Sequence, residues 1–217
     1  SMVDTLIPIG HGQRQLLFGE PTSGKTPFIL DLIINQNTTK SMAKGEFPRD
    51  QAICIYAAIG KAEMEVKRYI EQIKQHDGMK YTIVIASFSS EPAHLIDLAP
   101  GVALAIAERL RDQGYSSIVI LDDLGTHAKY LREIALLSER VPGRESYPGD
   151  IFYQQAYLTE RAGNFQVEGC KEAVSITLLP IIETSLENFS ALIPTNVMAT
   201  TDGHILFSAA LRSEGRY

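Results

Sequence analysis

Apolar residues along the chain gather into short runs separated by helical patterns and by glycine or proline breaks. The runs at 15–18, 52–59, 81–86, 117–121 and 174–182 are dominated by Ile, Leu, Val and Ala. The run at 52–59 contains no charged residue, as expected of a strand covered on both faces. Behind Thr26, the residues Phe28, Ile29, Leu32 and Ile33 recur at helical spacing and define one apolar stripe. Met64, Val66, Tyr69, Ile70 and Ile73 do the same within 62–75, a helix closed by His76, Asp77 and Gly78. Further helices are expected over 101–113, stopped by Gly114, from near Thr126 onward, and over 151–162, ended by Gly163. Strands alternating with helices predict an α/β fold: a mainly parallel sheet sandwiched between helices.

Turn chemistry fills the gaps. Pro8, Gly10 and Gly12 make 3–12 a connection leading into the sheet, and the polar stretch 37–49, with Gly45 and Pro48, reads as a surface loop. The stretch 141–150 is dense in proline and glycine and must be loop. Residues 191–201 with Pro194 are irregular or briefly helical, and Asp202-Gly203 is a turn before 204–207. Neither repeats nor low-complexity segments occur.

The strongest chemical signal stands between the first strand and the first helix. Gly19, Glu20, Pro21, Thr22, Ser23, Gly24, Lys25 and Thr26 fit the pattern G-x-x-x-x-G-K-[ST], a P-loop. Its glycines let successive backbone N–H groups turn inward around phosphate oxygens, while the following helix presents its partially positive N-terminus. Lys25 would reach the β and γ phosphates and the Thr26 hydroxyl would ligate Mg²⁺. Pro27 lies in the first helical turn, where its missing N–H costs little. The bland reading is a glycine-rich turn that merely starts a helix, but the strand–loop–helix order favours the P-loop.

The fourth apolar run ends in Asp122-Asp123. Ligands of open α/β sheets sit outside the carboxyl ends of strands, and Asp122 emerging there could hold the water shell of a magnesium ion. The plainer alternative is a solvated Asp-Asp turn that caps the next helix.

Composition narrows the field. With 217 residues, 45% hydrophobic and 21% charged, the chain is expected to form a single domain, 1–217, around one substantial core. A formal net charge of -6 without a basic block argues against a general nucleic-acid surface. Cys54 and Cys170 belong to no paired motif and read as reduced thiols in a cytosolic setting. The histidines at 11, 76, 94, 127 and 204 show no metal-ligand spacing. No apolar run approaches a membrane span and no secretory signal opens the chain. Ser1-Met2 resembles a cloning scar, which suggests a segment cut from a longer protein.

Several strings together resemble the nucleotide-binding domain of the alpha subunit of rotary F-type ATP synthases, a RecA-like P-loop NTPase. They are VDTLIPIG at 3–10, the P-loop, IINQ at 33–36, CIYAAIG at 54–60, DDL at 122–124, PGRESYPGD at 142–150, IET at 182–184 and IPTNV at 193–197. The resemblance covers nearly the whole chain. It implies ATP or ADP with Mg²⁺ as ligands, beta-type catalytic subunits as partners in a hetero-hexameric ring, and a cytoplasmic place peripheral to a membrane through a proton-translocating parent complex. It also implies that an N-terminal β-barrel, a C-terminal helical domain, the arginine-finger segment and part of the adenine pocket lie outside 1–217.

A hydrolytic P-loop site needs a group that positions or deprotonates water. In catalytic beta relatives a Glu directly follows the glycine ending the second strand, and alpha relatives carry Gln; here the position is Lys61. An ordinary lysine is protonated at neutral pH and cannot act as base. Lys61 is expected either to attract phosphate or to point into solvent; Glu63 is a weaker candidate for base than for a solvated helix-start charge. Pro21-Thr22 replaces the Arg-Gln usual in alpha relatives, and Glu20 replaces Asp. The resemblance thus implies a nucleotide-binding, non-catalytic domain with no catalytic residue of its own. An ATPase completed by a partner subunit and a divergent paralogue serving as an interaction module without nucleotide remain open beside it.

Overall fold

The computed structural model describes residues 6–36, 51–184 and 190–215; the loop expected at 37–49 lies outside them. Strands β1 (Gln15–Gly19), β2 (Ile53–Lys61), β3 (Thr82–Phe88), β4 (Ser117–Asp122), β5 (Gly163–Phe165), β6 (Val174–Glu183) and β7 (Gly203–Phe207) form one sheet in the order β3-β2-β4-β6-β1-β7, with β5 beside β6. Every pairing is parallel except that of β5 with β6. The architecture is the α/β sandwich that strand–helix alternation predicts.

Two apolar layers explain why the strand runs are continuous. Successive side chains along a strand point to opposite faces. In β2, Ile55, Ala57 and Ile59 enter one cluster with Ile96, Ala103 and Leu104 of α3 (Ala93–Asp112) and Leu124 and Ala128 of α4 (Leu124–Leu137). That face also receives α5 (Ile151–Thr159) and α6 (Leu192–Ala199) through Ile151, Leu158, Ile193 and Val197. Cys54, Tyr56 and Ala58 face the other way, against Ile29 and Ile33 of α1 (Lys25–Asn35) and Val66, Tyr69 and Ile73 of α2 (Glu63–Gln75). A short α7 (Ala209–Ser213) follows β7, its Ser208 cap accepting from the Leu211 N–H.

The helix expected over 151–162 stops at Thr159, and Gly163 opens β5 instead; three larger departures follow. First, α3 begins at Ala93, well before the expected 101, and runs through Pro100. An interior proline costs about 3 kcal/mol. Ile96 and Leu104 are fully buried on either side of it, and at roughly 1.5–3 kcal/mol each they together match or exceed that penalty. Second, β5 was not foreseen, because three residues held antiparallel to β6 leave no apolar run to recognise. Third, residues 191–201 hold a definite helix, α6, with Pro194 in its first turn, where proline is tolerated. No helix among the described residues is long and apolar enough to cross a membrane.

Candidate functional site

The residues 19–26 are gathered at the carboxyl edge of the sheet, as a strand–loop–helix unit. Gly19 sits between β6 and β7, paired with Glu183 and Phe207, and its carbonyl accepts from the Thr184 N–H at 3.0 Å. A Cβ on Gly19 would lie 2.3 Å from the Phe207 carbonyl oxygen, so only glycine lets the loop leave between these strands. The chain then turns through Thr22 at φ 65° and Gly24 at φ 110° into α1. The opening N–H groups of α1 have no acceptor one turn back and carry the positive end of the helix dipole. Such an edge holds phosphate readily.

Lys25 is folded over this loop. Its ammonium donates to the carbonyls of Gly19 at 2.8 Å and Glu20 at 2.6 Å, with the Ser23 hydroxyl at 3.4 Å. Burial lowers its pKa, while Glu183, Asp122 and Asp123 oppose that shift. From the far end of the chain, Arg212 of α7 donates to the Thr22 carbonyl at 2.5 Å. The cleft in front measures about 700 Å³ and is lined by Thr22, Lys25, Thr26, Arg68, Glu183 and Arg212 among others. That volume suits a small-molecule ligand, and three of those six side chains are cationic.

Asp122 and Lys61 form the second half of the site. Asp122 ends β4 on the face that carries Tyr56, since Ala58 is its partner across the β2–β4 ladder. It is buried, accepts from the Tyr56 hydroxyl at 2.7 Å through Oδ2, and meets the Lys61 ammonium at 2.9 Å through Oδ1. By strand parity Lys61 should face the α3 and α4 layer, together with Ile59. It does not, because Ile59 and Lys61 oppose the consecutive residues Ser87 and Phe88 of β3, a bulge that gives β2 one surplus residue. The surplus residue is Gly60, at φ 64°, where a Cβ would lie 2.7 Å from Tyr130 Cε2. The bulge rotates Lys61 onto the α1 side. The expectation that Lys61 points into solvent is corrected: its side chain is only 12% exposed and ion-paired with Asp122.

Burial opposes the charge on Lys61, but Asp122, helped by Asp123 and Glu183, outweighs it and raises the pKa. The group is a fixed cation at any physiological pH. Burial also raises the Tyr56 pKa, with Asp122 adding to it, which keeps the hydroxyl a donor. Asp123 caps α4, accepting from the Thr126 N–H at 2.5 Å and its hydroxyl at 3.0 Å; the Asp-Asp turn is thus a cap, though a buried one. Burial and the neighbouring Asp122 push the Asp123 carboxyl up to about 6. Glu63 is 57% exposed and paired with Lys67 at 2.7 Å, the solvated charge of the alternative reading.

The donor set fits a magnesium ion poorly at Asp122. Thr26 is half-buried at the cleft near Tyr69, whose hydroxyl donates to Glu65; the Thr26 oxygen has lone pairs for a cation. Both oxygens of Asp122, however, are engaged, one of them by an ammonium. Glu183, Tyr56, Tyr69 and Arg212 are site residues that sequence reasoning passed over. Tyr56 and Tyr69 read as core, and Glu183 and Arg212 stand near the loop only through the β1–β6 and β1–β7 pairings. Glu183 and Tyr56 fall within the IET and CIYAAIG strings, but nothing local assigns any of the four a role.

Comparison with known proteins agrees with this geometry. The model for the ATP synthase alpha/beta family, nucleotide-binding domain, matches residues 1–217. Similar relatives include the ATP synthase subunit alpha of Anaplasma marginale strain Florida and that of strain St. Maries. Each is 43% identical over 213 residues, which is 98% of this chain and 41% of the relative. The chain therefore spans about two fifths of the length of these relatives.

Proposed function

The chain belongs to the ATP synthase alpha/beta family, matching its nucleotide-binding domain throughout, and from that premise we propose that it binds ATP or ADP without hydrolysing it, as the nucleotide-binding domain of an alpha-like subunit. The loop amides of Thr22, Gly24, Lys25 and Thr26 and the Lys25 ammonium hold the phosphates; Gly19, Glu20, Pro21 and Ser23 set the loop's course. The same reading places the parent protein among beta-type catalytic subunits in a ring, peripheral to a membrane, on the resemblance to alpha relatives.

One observation carries the non-catalytic half. The residue directly after Gly60 is an ammonium locked on Asp122 at 2.9 Å, so no carboxylate stands there to position water. Glu63, the nearest alternative, is exposed and turned to Lys67.

Calorimetric titration of the chain with ADP and ATP tests the reading. Lys25→Ala removes a charged hydrogen-bond donor to phosphate, worth roughly 1.5–3 kcal/mol, so affinity should fall roughly ten- to a hundredfold. Phosphate release should stay at the level of buffer for both proteins. Turnover that Lys25→Ala abolishes would contradict the non-catalytic assignment, heats identical for the two proteins would contradict the role given to Lys25, and no heat from the unmodified chain would contradict nucleotide binding.

A further inference from the structure

We propose that nucleotide binding at this loop is independent of divalent cations, because the Lys61 ammonium takes the place beside Asp122 that a hydrated cation would need. The ligand class is then the metal-free nucleoside diphosphate or triphosphate. The proposal rests on the reading of the loop as a phosphate site.

Magnesium binds octahedrally, dehydrates reluctantly and keeps several waters, which must find acceptors around it. At the carboxyl edge of this sheet Asp122 would be the natural acceptor. Its Oδ1 meets Lys61 at 2.9 Å and its Oδ2 accepts from Tyr56 at 2.7 Å. A divalent cation brought to that carboxylate would sit beside a fixed ammonium and be repelled by it. Lys61 cannot easily withdraw. Its side chain is 12% exposed and that of Asp122 4%, and separating them would strand a buried charge. The Gly60 bulge further holds the lysine on this face.

The charge that magnesium contributes to a polyphosphate site is supplied here by side chains. Lys61 lies close enough to Lys25 to help lower its pKa, and Asp122, Asp123 and Glu183 lie near both. Arg212 adds a guanidinium beside Thr22, and Arg68 lines the same cleft. A polyphosphate entering the cleft meets fixed cations that do not depend on dissolved metal.

The test compares ADP titrations of residues 1–217 in excess EDTA and in excess magnesium chloride. Dissociation constants should agree within about twofold, and Lys61→Gln, its fold checked by circular dichroism, should bind at least about tenfold more tightly with magnesium than without. The comparison on the unmodified chain stands whether or not the variant folds. Magnesium tightening ADP about tenfold or more on the unmodified chain would overturn the proposal while leaving the phosphate site intact. A folded Lys61→Gln as indifferent to magnesium as its parent would overturn the role given to Lys61. No ADP heat under either condition would overturn the phosphate site, and the proposal with it.

Discussion

Replacing Lys61 with methionine isolates the energetics of the buried pair. Methionine keeps most of the apolar stem and removes the charge, leaving Asp122 with a single donor, Tyr56 at 2.7 Å. Deleting one partner of a buried ion pair destabilises by about 3–5 kcal/mol, because the other charge stays out of water uncompensated. The surviving Tyr56 bond is worth about 1 kcal/mol, so the expected loss is about 3 kcal/mol. At roughly 2–4 °C per kcal/mol for a domain of this size, the melting temperature should drop by roughly 6–12 °C. Urea denaturation followed by circular dichroism measures the loss directly. The decisive comparison is the double variant Lys61→Met/Asp122→Asn, which leaves no stranded charge and should recover about 2 kcal/mol of it. A single variant within about 1 kcal/mol of the parent, or a double variant losing at least the sum of the two single changes, would refute the claim that the pair's charges compensate each other in a dry site.

Three other expectations bear on the fold around the site. Gly60→Ala must place a Cβ 2.7 Å from the Tyr130 ring at φ 64°, and should cost about 1–3 kcal/mol by the same urea assay; an unchanged midpoint would mean the bulge tolerates a side chain. The Asp123 carboxyl is raised to about 6 by burial and by Asp122, against about 3.9 in an unfolded chain. Its contribution to stability is therefore complete below about pH 4 and is lost as pH rises through about 6, a span of roughly 3 kcal/mol. Asp123→Asn, which keeps a capping side chain, should flatten the fall in melting temperature across that window, and parallel profiles would refute the assignment. Burial pushes the Cys54 thiol up to about 12, whereas Cys170 is partly exposed. A thiol reagent at pH 8 should then titrate about one thiol in the native protein and about two in denaturant; two fast-reacting thiols in the native protein would contradict the packing of β2.

Much of the fold was legible because both faces of the sheet are covered. Residues 52–59 fill two apolar layers at once, so the strand shows as an unbroken run, and 174–182, though interrupted by Ser175 and Thr177, is marked by its β-branched residues. The P-loop was legible because its chemistry is local: eight consecutive residues supply the turn, the dipole and the cation. What could not be read depends on register. Tyr56 looks like core until the β2–β4 ladder sets it diagonally from Asp122 on one face. Lys61 lies on the wrong face by simple alternation, and the surplus residue that reverses it is visible only against β3. The start of α3 was hidden because Pro100 argues locally against a helix that Ile96 and Leu104 enforce from outside. Arg212 lies 190 residues beyond the carbonyl it touches, and only the β1–β7 pairing brings them together.

The extra position in β2 has a meaning for how such a site changes over time. Since the strand is already wound out of phase when it reaches residue 61, the side chain there leaves the layer of Ile59 and meets Asp122 instead. Exchanging this ammonium for an amide or a carboxylate takes the counterion from a buried aspartate, so such a change is favoured only when residue 122 changes with it. The chemistry of the rim and the stability of the sheet are thereby tied to the same two side chains.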